Sequence, residues 1–291
     1  MRIVSYRLPG GDGFGVRVSE GVIDLSGRTT LFELLRLSPP AIQRLVEEAE
    51  KRGAPVRPWN SLALLPVIPR PGKFICLGLN YIDHAKEGGY TLPPWPTLFM
   101  RGPTSLVAAG EPIVRPSLSD TLDYEAELAV VIGQPGRRVD EANALGHVAG
   151  YALFNDATVR EYQRITTQWT PGKNFDGTGA FGPELVTPDE LPPGAVGLRI
   201  KSRLNGAVMQ DGNTADMMFS VARTISLLSE VMTLETGDVI AMGTPAGVGH
   251  ARRPPVWMRP GDVCEIEIEK IGILSNPVFA EADAMKQRAA L

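Results

Sequence analysis

Two glutamates set two positions apart, Glu125 and Glu127, lie in the stretch Asp123-Tyr124-Glu125-Ala126-Glu127-Leu128-Ala129-Val130-Val131-Ile132-Gly133. The stretch begins polar, turns β-branched and closes on Gly133, which reads as a strand entering a core. Residues two apart on a strand share a face, so both carboxylates point the same way beside side chains that must be buried. Paired carboxylates in an apolar setting repel and desolvate badly, and without a partner they take up protons. A hard divalent cation, Mg2+ or Ca2+, resolves that conflict because it prefers carboxylate oxygen. The same alternation also describes an edge strand with a solvated acidic face. Asp156 closes a second apolar run, His147 to Asp156, a common place for catalytic and metal-binding residues.

Other polar groups have spacing that could do chemistry. If residues 82–87 form a short helix, His84 and Glu87 are three apart and adjacent on its surface. A histidine beside a glutamate is a better base, its tautomer set by the carboxylate; a surface ion pair has the same spacing. Gly88-Gly89 and Pro93-Pro94-Trp95-Pro96 read as a mobile segment with a rigid stop, the composition of a lid and equally of a surface loop. Ala157 to Arg164 reads as a helical turn placing Arg160 and Gln163 on one face. The glycine-rich stretch Trp169 to Gly179 carries Lys173 but lacks the Gly-Lys-Ser/Thr of a phosphate loop. Gly243-Thr244-Pro245-Ala246-Gly247-Val248-Gly249 follows a buried strand, Val239 to Met242. Its glycines and Thr244 would let backbone N–H groups approach an anion, and a plain glycine-rich turn has the same pattern.

The elements that must position these groups are mostly strands. Residues 1–27 read as a small β-meander, with runs at Arg2–Tyr6, Gly13–Val18 and Gly21–Leu25 separated by glycines. Thr30 caps a helix from Leu31 that Pro39-Pro40 breaks, and Ala41 to Arg52 forms a second amphipathic helix. Proline-rich connectors place the boundary of a small N-terminal domain near residue 68, giving domains 1–68 and 69–291. Lys73–Leu79 and Thr97–Met100 are strands, and Asp140 to Leu145 is a short helix. Asn205-Gly206 between two apolar runs is a hairpin signal. Thr214 is expected to cap the one long helix, about 215–234, with Val221, Ile225, Leu228 and Met232 as its core stripe. Val263 to Glu269 alternates as a half-exposed strand.

Composition bounds the rest. The chain has 291 residues, 43% hydrophobic and 21% charged, enough for one large domain with an appendage. A net charge of −4 leaves no basic footprint for nucleic acid. No apolar run spans a bilayer, and Met1 to Arg7 lacks the pattern of a signal peptide. Cys76 and Cys264 read as buried free thiols of a reducing cytosol, so a cytoplasmic enzyme is expected. Three histidines and no C-x-x-C argue against a Cys/His zinc site.

Over its last two-thirds the chain resembles the fumarylacetoacetate hydrolase family. The matching pieces, in order, are Asn80-Tyr81 with His84-Ala85-Lys86-Glu87, Asp123-Tyr124-Glu125-Ala126-Glu127-Leu128, Asn155-Asp156-Ala157-Thr158-Val159-Arg160, Gly172-Lys173-Asn174-Phe175-Asp176, Gly243 to Gly249, and Gly272-Ile273-Leu274-Ser275-Asn276-Pro277-Val278. The resemblance implies an α+β, β-rich fold, a mixed β-roll or sandwich, here with a small N-terminal α+β domain, and usually a homodimer. It implies that Glu125, Glu127 and Asp156 ligate one divalent cation, Mg2+ or Mn2+, with Ca2+ also suited to the oxygen donors. It implies that His84 and Glu87 form a dyad on a lid. Lys173, Arg160, Gln163 and Thr244 match positions that hold the substrate's carboxylate and keto oxygens. Arg101-Gly102 stands where many relatives carry Lys-Pro, which leaves Arg101 as an altered anion contact. The outer wall of the pocket is expected from residues 81–104 and 250–258.

The chemistry implied is that of a small 2-oxo acid whose enolate a metal stabilises. In a hydrolase, His84 with Glu87 activates water against the distal carbonyl of an acylpyruvate, Lys173 neutralises developing charge, and a C–C bond breaks. Decarboxylation or keto–enol isomerisation of a dicarboxylic 2-oxo acid, such as oxaloacetate, uses the same enolate without water. A metal-bound scaffold or sensor without turnover would have no reason to keep buried carboxylates that are costly to hold.

Overall fold

The computed structural model describes residues 1–87 and 94–289. Gly88-Gly89 and the start of the proline-rich stretch, read above as a lid segment, lie outside the described residues. Two sheets carry the fold. The larger has eleven strands, in hydrogen-bonded order Val56–Arg57, Gly21–Asp24, Gly11–Val18, Arg2–Leu8, Gly179–Val186, Val148–Asp156, Ala126–Ile132, Val239–Ala241, Phe74–Gly78 and Thr97–Met100, with Leu106–Val107 joined to Gly179–Val186. It is mixed, because Val239–Ala241 runs parallel to Phe74–Gly78 while its pairing with Ala126–Ile132 is antiparallel. The smaller sheet has five strands, in the order Ala207–Asn213, Arg199–Leu204, Val263–Ile268, Gly272–Ala280 and Ile113–Arg115.

Strand alternation sorts the core into two layers. Leu128 and Val130 face the five-stranded sheet and pack with Ile200, Ile266 and Leu274. Ala129 and Val131 face the other way and pack with Leu34, Leu35, Ile42 and Val46 of two N-terminal helices, Leu31–Leu35 and Pro39–Lys51. Each buried Val, Leu or Ile stabilises the fold by about 1.5–3 kcal/mol, which offsets the polar groups that this sheet also buries. The strand that carries Glu127 is central and covered on both faces, so the solvated edge strand is excluded.

Several expectations need correction. The strand beginning at Asp123 is two pieces, Leu122–Asp123 and Ala126–Ile132, with Glu125 at the break. Its backbone N–H there donates to the Asn155 side chain at 3.1 Å instead of to a neighbouring strand. The helix expected at 215–234 is Val221–Val231, shorter than Pro39–Lys51. Ser220, not Thr214, caps it by accepting from the Arg223 N–H. The Thr214 hydroxyl is used elsewhere, donating to the Ala195 carbonyl at 2.6 Å and accepting from Leu198 N–H at 2.9 Å. Pro39-Pro40 separates the two N-terminal helices and also opens the second, where a missing N–H costs nothing. The short helix after Asp140 is a 3₁₀ helix, Glu141–His147.

The boundary expected near residue 68 is not a gap in the core. Arg2–Leu8 pairs with Gly179–Val186, and Ile3, Ile23 and Leu34 share one cluster with Phe74, Val131 and Phe154. Both cysteines are buried free thiols. Among the described residues no helix is long and apolar enough to cross a membrane.

Candidate metal and substrate site

The floor of the site is made by register. Ala126 lies opposite Asn155 and Glu127 opposite Phe154 on neighbouring antiparallel strands, and the Asp156 N–H donates to the Glu125 carbonyl at 3.0 Å. Glu127 shares the face of Ala129 and Val131; Asp156 shares that of Ala152 and Phe154. The two strands thereby deliver Glu125, Glu127 and Asp156 to one spot, with a carboxylate oxygen of each within 4.8 Å of the others, all buried.

Three cations lie among these acids. Lys173, from the short helix Thr170–Lys173, donates to Glu125 at 2.7 Å and to Asp156 at 2.6 Å. Arg160, at the start of the helical turn Arg160–Gln163, donates from Nε to Asp123 at 2.8 Å and from Nη1 to Gln163 at 3.0 Å, and its Nη2 pairs with Glu125 at 2.7 Å. Arg101 holds Asp156, the Ala157 carbonyl and Thr178. Burial alone would raise the pKa of Glu125, but Lys173 and Arg160 outweigh it and hold the group well below the ordinary carboxylate range. Lys173 is the mirror case: burial works against its charge, and Asp156 and Glu125 prevail and keep it cationic.

Glu127 is the exception. It accepts a hydrogen bond from Gly243 N–H at 2.9 Å and has no cationic partner among the described residues. Burial, then Asp156 and Glu125, push its pKa well above the ordinary value. Among the described residues Asp123, Glu125 and Asp156 pair with Arg101, Arg160 and Lys173, with the His250 ring also beside Asp123, which leaves Glu127 without an ion pair. An all-carboxylate donor set with a surplus negative charge fits a hard divalent cation, Mg2+, Mn2+ or Ca2+.

Above this floor the other predicted residues converge. Glu125, Glu127 and Lys173 line one pocket with Arg160 and Gln163; His84 and Thr244 complete it from the loop side. Gln163 leaves its amide NH2 without a protein partner among the described residues. Thr244 accepts from Gln210 Nε2 at 2.7 Å, so its own O–H is free to donate. Gly243, with φ of +84°, turns its N–H onto Glu127, and a Cβ there would stand 2.8 Å from that of Asn80.

His84 and Glu87 sit on the short helix Ile82–Glu87. His84 Nδ1 lies 3.6 Å from Glu87 Oε2, beyond a hydrogen bond. The Glu87 carboxylate accepts instead from Gly247 N–H at 3.1 Å, which docks this helix on the glycine-rich loop. Burial opposes ionisation of Glu87, but the His84 ring and the Gly247 N–H lower its pKa on balance. The loop's N–H groups therefore serve the protein's own carboxylates, Glu127, Glu87 and Asp123.

Arg101 is not among the pocket-lining residues: its guanidinium is fully buried against Asp156 and Thr178, and it positions a floor carboxylate where a substrate contact was expected. Sequence reasoning also missed individual residues. Trp169, packed on Phe99 at 5.8 Å between ring centroids, walls one side of the pocket. Arg164 and His250 line it too. Asp123 stood inside the acidic motif but was given no role; it anchors Arg160. His250 opens the 250–258 stretch expected in the outer wall, where no single residue had been given a role; its contact with Asp123 is the new finding.

A family model described as fumarylacetoacetate (FAA) hydrolase C-terminal matches residues 73–279. The human protein named oxaloacetate tautomerase FAHD2A, mitochondrial, is 36% identical over 289 residues, covering 96% of this chain and 91% of its own length. Among solved structures, the fumarylacetoacetate hydrolase of Exiguobacterium antarcticum superposes with a TM-score of 0.78 at 36% identity, over 97% of this chain and 100% of that one. The 5-carboxymethyl-2-hydroxymuconate delta-isomerase of Mycobacterium smegmatis gives a TM-score of 0.77 at 30% identity, over 97% and 100%.

Proposed function

The chain belongs to the fumarylacetoacetate hydrolase family, and on that premise we propose that it is a divalent-metal-dependent keto–enol tautomerase of a short dicarboxylic 2-oxo acid of the oxaloacetate type. The observation that carries this reading is the buried triad Glu125, Glu127 and Asp156 with its one uncompensated charge, at the floor of a pocket walled by hydrogen-bond donors. Kinship over nearly the whole chain with proteins named oxaloacetate tautomerases supports isomerisation over cleavage.

Glu125, Glu127 and Asp156 would hold Mg2+, Mn2+ or Ca2+. Bound there, such an ion supplies Lewis acidity that favours the enolate of a 2-oxo acid. The chain's own side chains do the rest. The Gln163 amide and the Thr244 hydroxyl offer donors to the substrate's oxygens, and Arg160 adds positive charge beside them. Lys173 keeps its charge and offsets the negative charge that develops on the oxygen. Tautomerisation breaks the enol O–H bond and forms a C3–H bond, so it needs no co-reactant. His84, an imidazole in the pocket wall, is placed to move that proton.

A second reading is C–C hydrolysis of an acylpyruvate. The His84–Glu87 pair favours it, since a carboxylate near an imidazole is also the arrangement that activates water. A homodimer is part of the proposal, and sedimentation equilibrium checks it.

The deciding experiment follows enol absorbance of freshly dissolved oxaloacetate, and of an acylpyruvate, with Mg2+ or Mn2+ and with a chelator. Metal-dependent enol loss from oxaloacetate, with neither CO2 nor pyruvate formed, is expected. Pyruvate and a carboxylic acid from the acylpyruvate would move the assignment to hydrolysis, and CO2 release to decarboxylation.

A further inference from the structure

We propose that His250 is a second proton-carrying imidazole of this site, oriented by Asp123 so that its Nε2 accepts the enol proton; the inference rests on the tautomerase reading above. Two of the chain's three histidines line the pocket, His84 from the short helix and His250 from the far end of the glycine-rich loop. The third, His147, lies elsewhere, with Nδ1 against the Gln134 carbonyl.

His250 is held as a base is held. Asp123 is fully buried and accepts from Arg160 Nε at 2.8 Å, from Gly249 N–H at 2.7 Å and from His250 N–H at 3.0 Å. His250 Nδ1 lies 3.2 Å from the same carboxylate, and the ring's side chain is 12% exposed. Both Asp123 oxygens already accept from N–H donors, so in this contact Nδ1 carries the hydrogen. In the neutral ring that puts the lone pair on Nε2, the one ring nitrogen left for a ligand. The clamp also fixes the backbone. A Cβ at Gly249 would stand 2.5 Å from Asp123 Oδ1, so a larger residue could not let the two peptide N–H groups reach it.

Isomerisation has two ends, an oxygen that loses a proton and a carbon that gains one. His250 Nε2 takes the proton as the enol O–H breaks, and Asp123 stabilises the imidazolium that forms. C3 receives its proton from the other imidazole, His84, which enters the cycle as the imidazolium and leaves it neutral. Proton exchange with water returns both rings to their starting forms, so the cycle is balanced with no external reactant.

The test compares His250→Asn and His250→Gln in the full-length, Mg2+-loaded protein. Both are expected to lower kcat by about 100–10,000-fold, the range for loss of a general acid or base, with KM, Mg2+ affinity and Tm near wild type. Glutamine can replace a hydrogen bond but carries no proton, so it should not rescue. Wild-type kcat in His250→Gln would overturn the proposal in favour of simple hydrogen bonding, and joint loss of Mg2+ affinity and Tm in both variants would overturn it in favour of a structural role. A second measurement does not depend on turnover: nitrogen-15 NMR of the imidazoles, with His250 assigned by its absence in His250→Asn. A protonated Nδ1 and a bare Nε2 that shifts when oxalate is added with Mg2+ support the proposal even if oxaloacetate is not the substrate. A His250 signal indifferent to oxalate overturns it, whatever the reaction.

Discussion

The floor of the pocket and its mouth are built on opposite plans. On the floor, carboxylates and cations alternate at 2.6–2.8 Å: Lys173 bridges Glu125 and Asp156, and Arg160 joins Asp123 to Glu125. Every one of these groups is buried, Asp123 and Asp156 on strands, Arg160 and Lys173 on short helices and Glu125 at the break between two strands. At the mouth, His84 Nδ1 has no hydrogen-bond partner, and Glu87 holds a backbone N–H of the glycine-rich loop. Charge at low dielectric must be fixed and paired, because an unpaired buried ion costs several kcal/mol. A group that moves a proton needs the reverse, a lone pair not committed to the protein. On the proposed function, the floor holds charge and the mouth exchanges a proton.

The contrast breaks most sharply at Glu127. Glu127→Gln keeps shape and removes the uncompensated charge. Activity and Mg2+ affinity should fall together, by more than the roughly 10–100-fold that loss of an outer-shell partner costs. Isothermal titration that finds Mg2+ still tightly bound would remove Glu127 from the ligand set. At the mouth, His84→Ala should lower kcat by about 100–10,000-fold while Mg2+ affinity stays put. Equal loss of metal binding would erase the distinction between the two regions.

Stability against pH separates them without kinetics. With chelator present, the folded chain holds the Glu127 proton more tightly than the unfolded chain does, since burial, Asp156 and Glu125 raise that group above its ordinary 4.5. Its contribution is therefore complete at low pH and is lost as pH rises above about 4.5. Glu125 has the opposite sign: its pKa is lowered, so its contribution is present above 4.5 and disappears as pH falls toward its folded value. A plot of Tm against pH in chelator should rise, peak and then decline, and saturating Mg2+ should flatten the decline. A Tm that climbs steadily to neutral pH in chelator would contradict the crowding assigned to Glu127. The smallest effect is expected at Glu87→Gln, which weakens one exposed contact worth about 1 kcal/mol. Faster hydrogen exchange at Gly247 with kcat reduced less than tenfold, about the rate equivalent of 1.4 kcal/mol, would fit. A loss as large as that of His84→Ala would make the two act as one unit.

Much of the site was legible in the residue order, for local reasons. Period-two alternation put Glu125 and Glu127 beside a buried run, and three-residue spacing put Arg160 over Gln163 and His84 next to Glu87. The Asn205-Gly206 turn delivered its hairpin, with both residues at positive φ. Thr30 caps its helix in a reciprocal box with Glu33. Failures came where a side chain had a distant partner. Thr214 looks like a helix cap but bonds Ala195 and Leu198, so the helix starts six residues beyond the one expected at 215. Arg101 looks like an anion contact but is used up on Asp156, 55 residues away.

Residue type and short-range spacing therefore determined which groups are candidates for chemistry and which strands bury them, because alternation and turn preference are properties of neighbouring residues. Tertiary structure alone decided which acids meet, which cation each one keeps and which one is left over. It also decided that His250 belongs to the site, through a carboxylate 127 residues earlier in the chain. Register between strands sets those distances, and register is a property of the packed sheet, where a shift of one residue would turn Glu127 onto the opposite face.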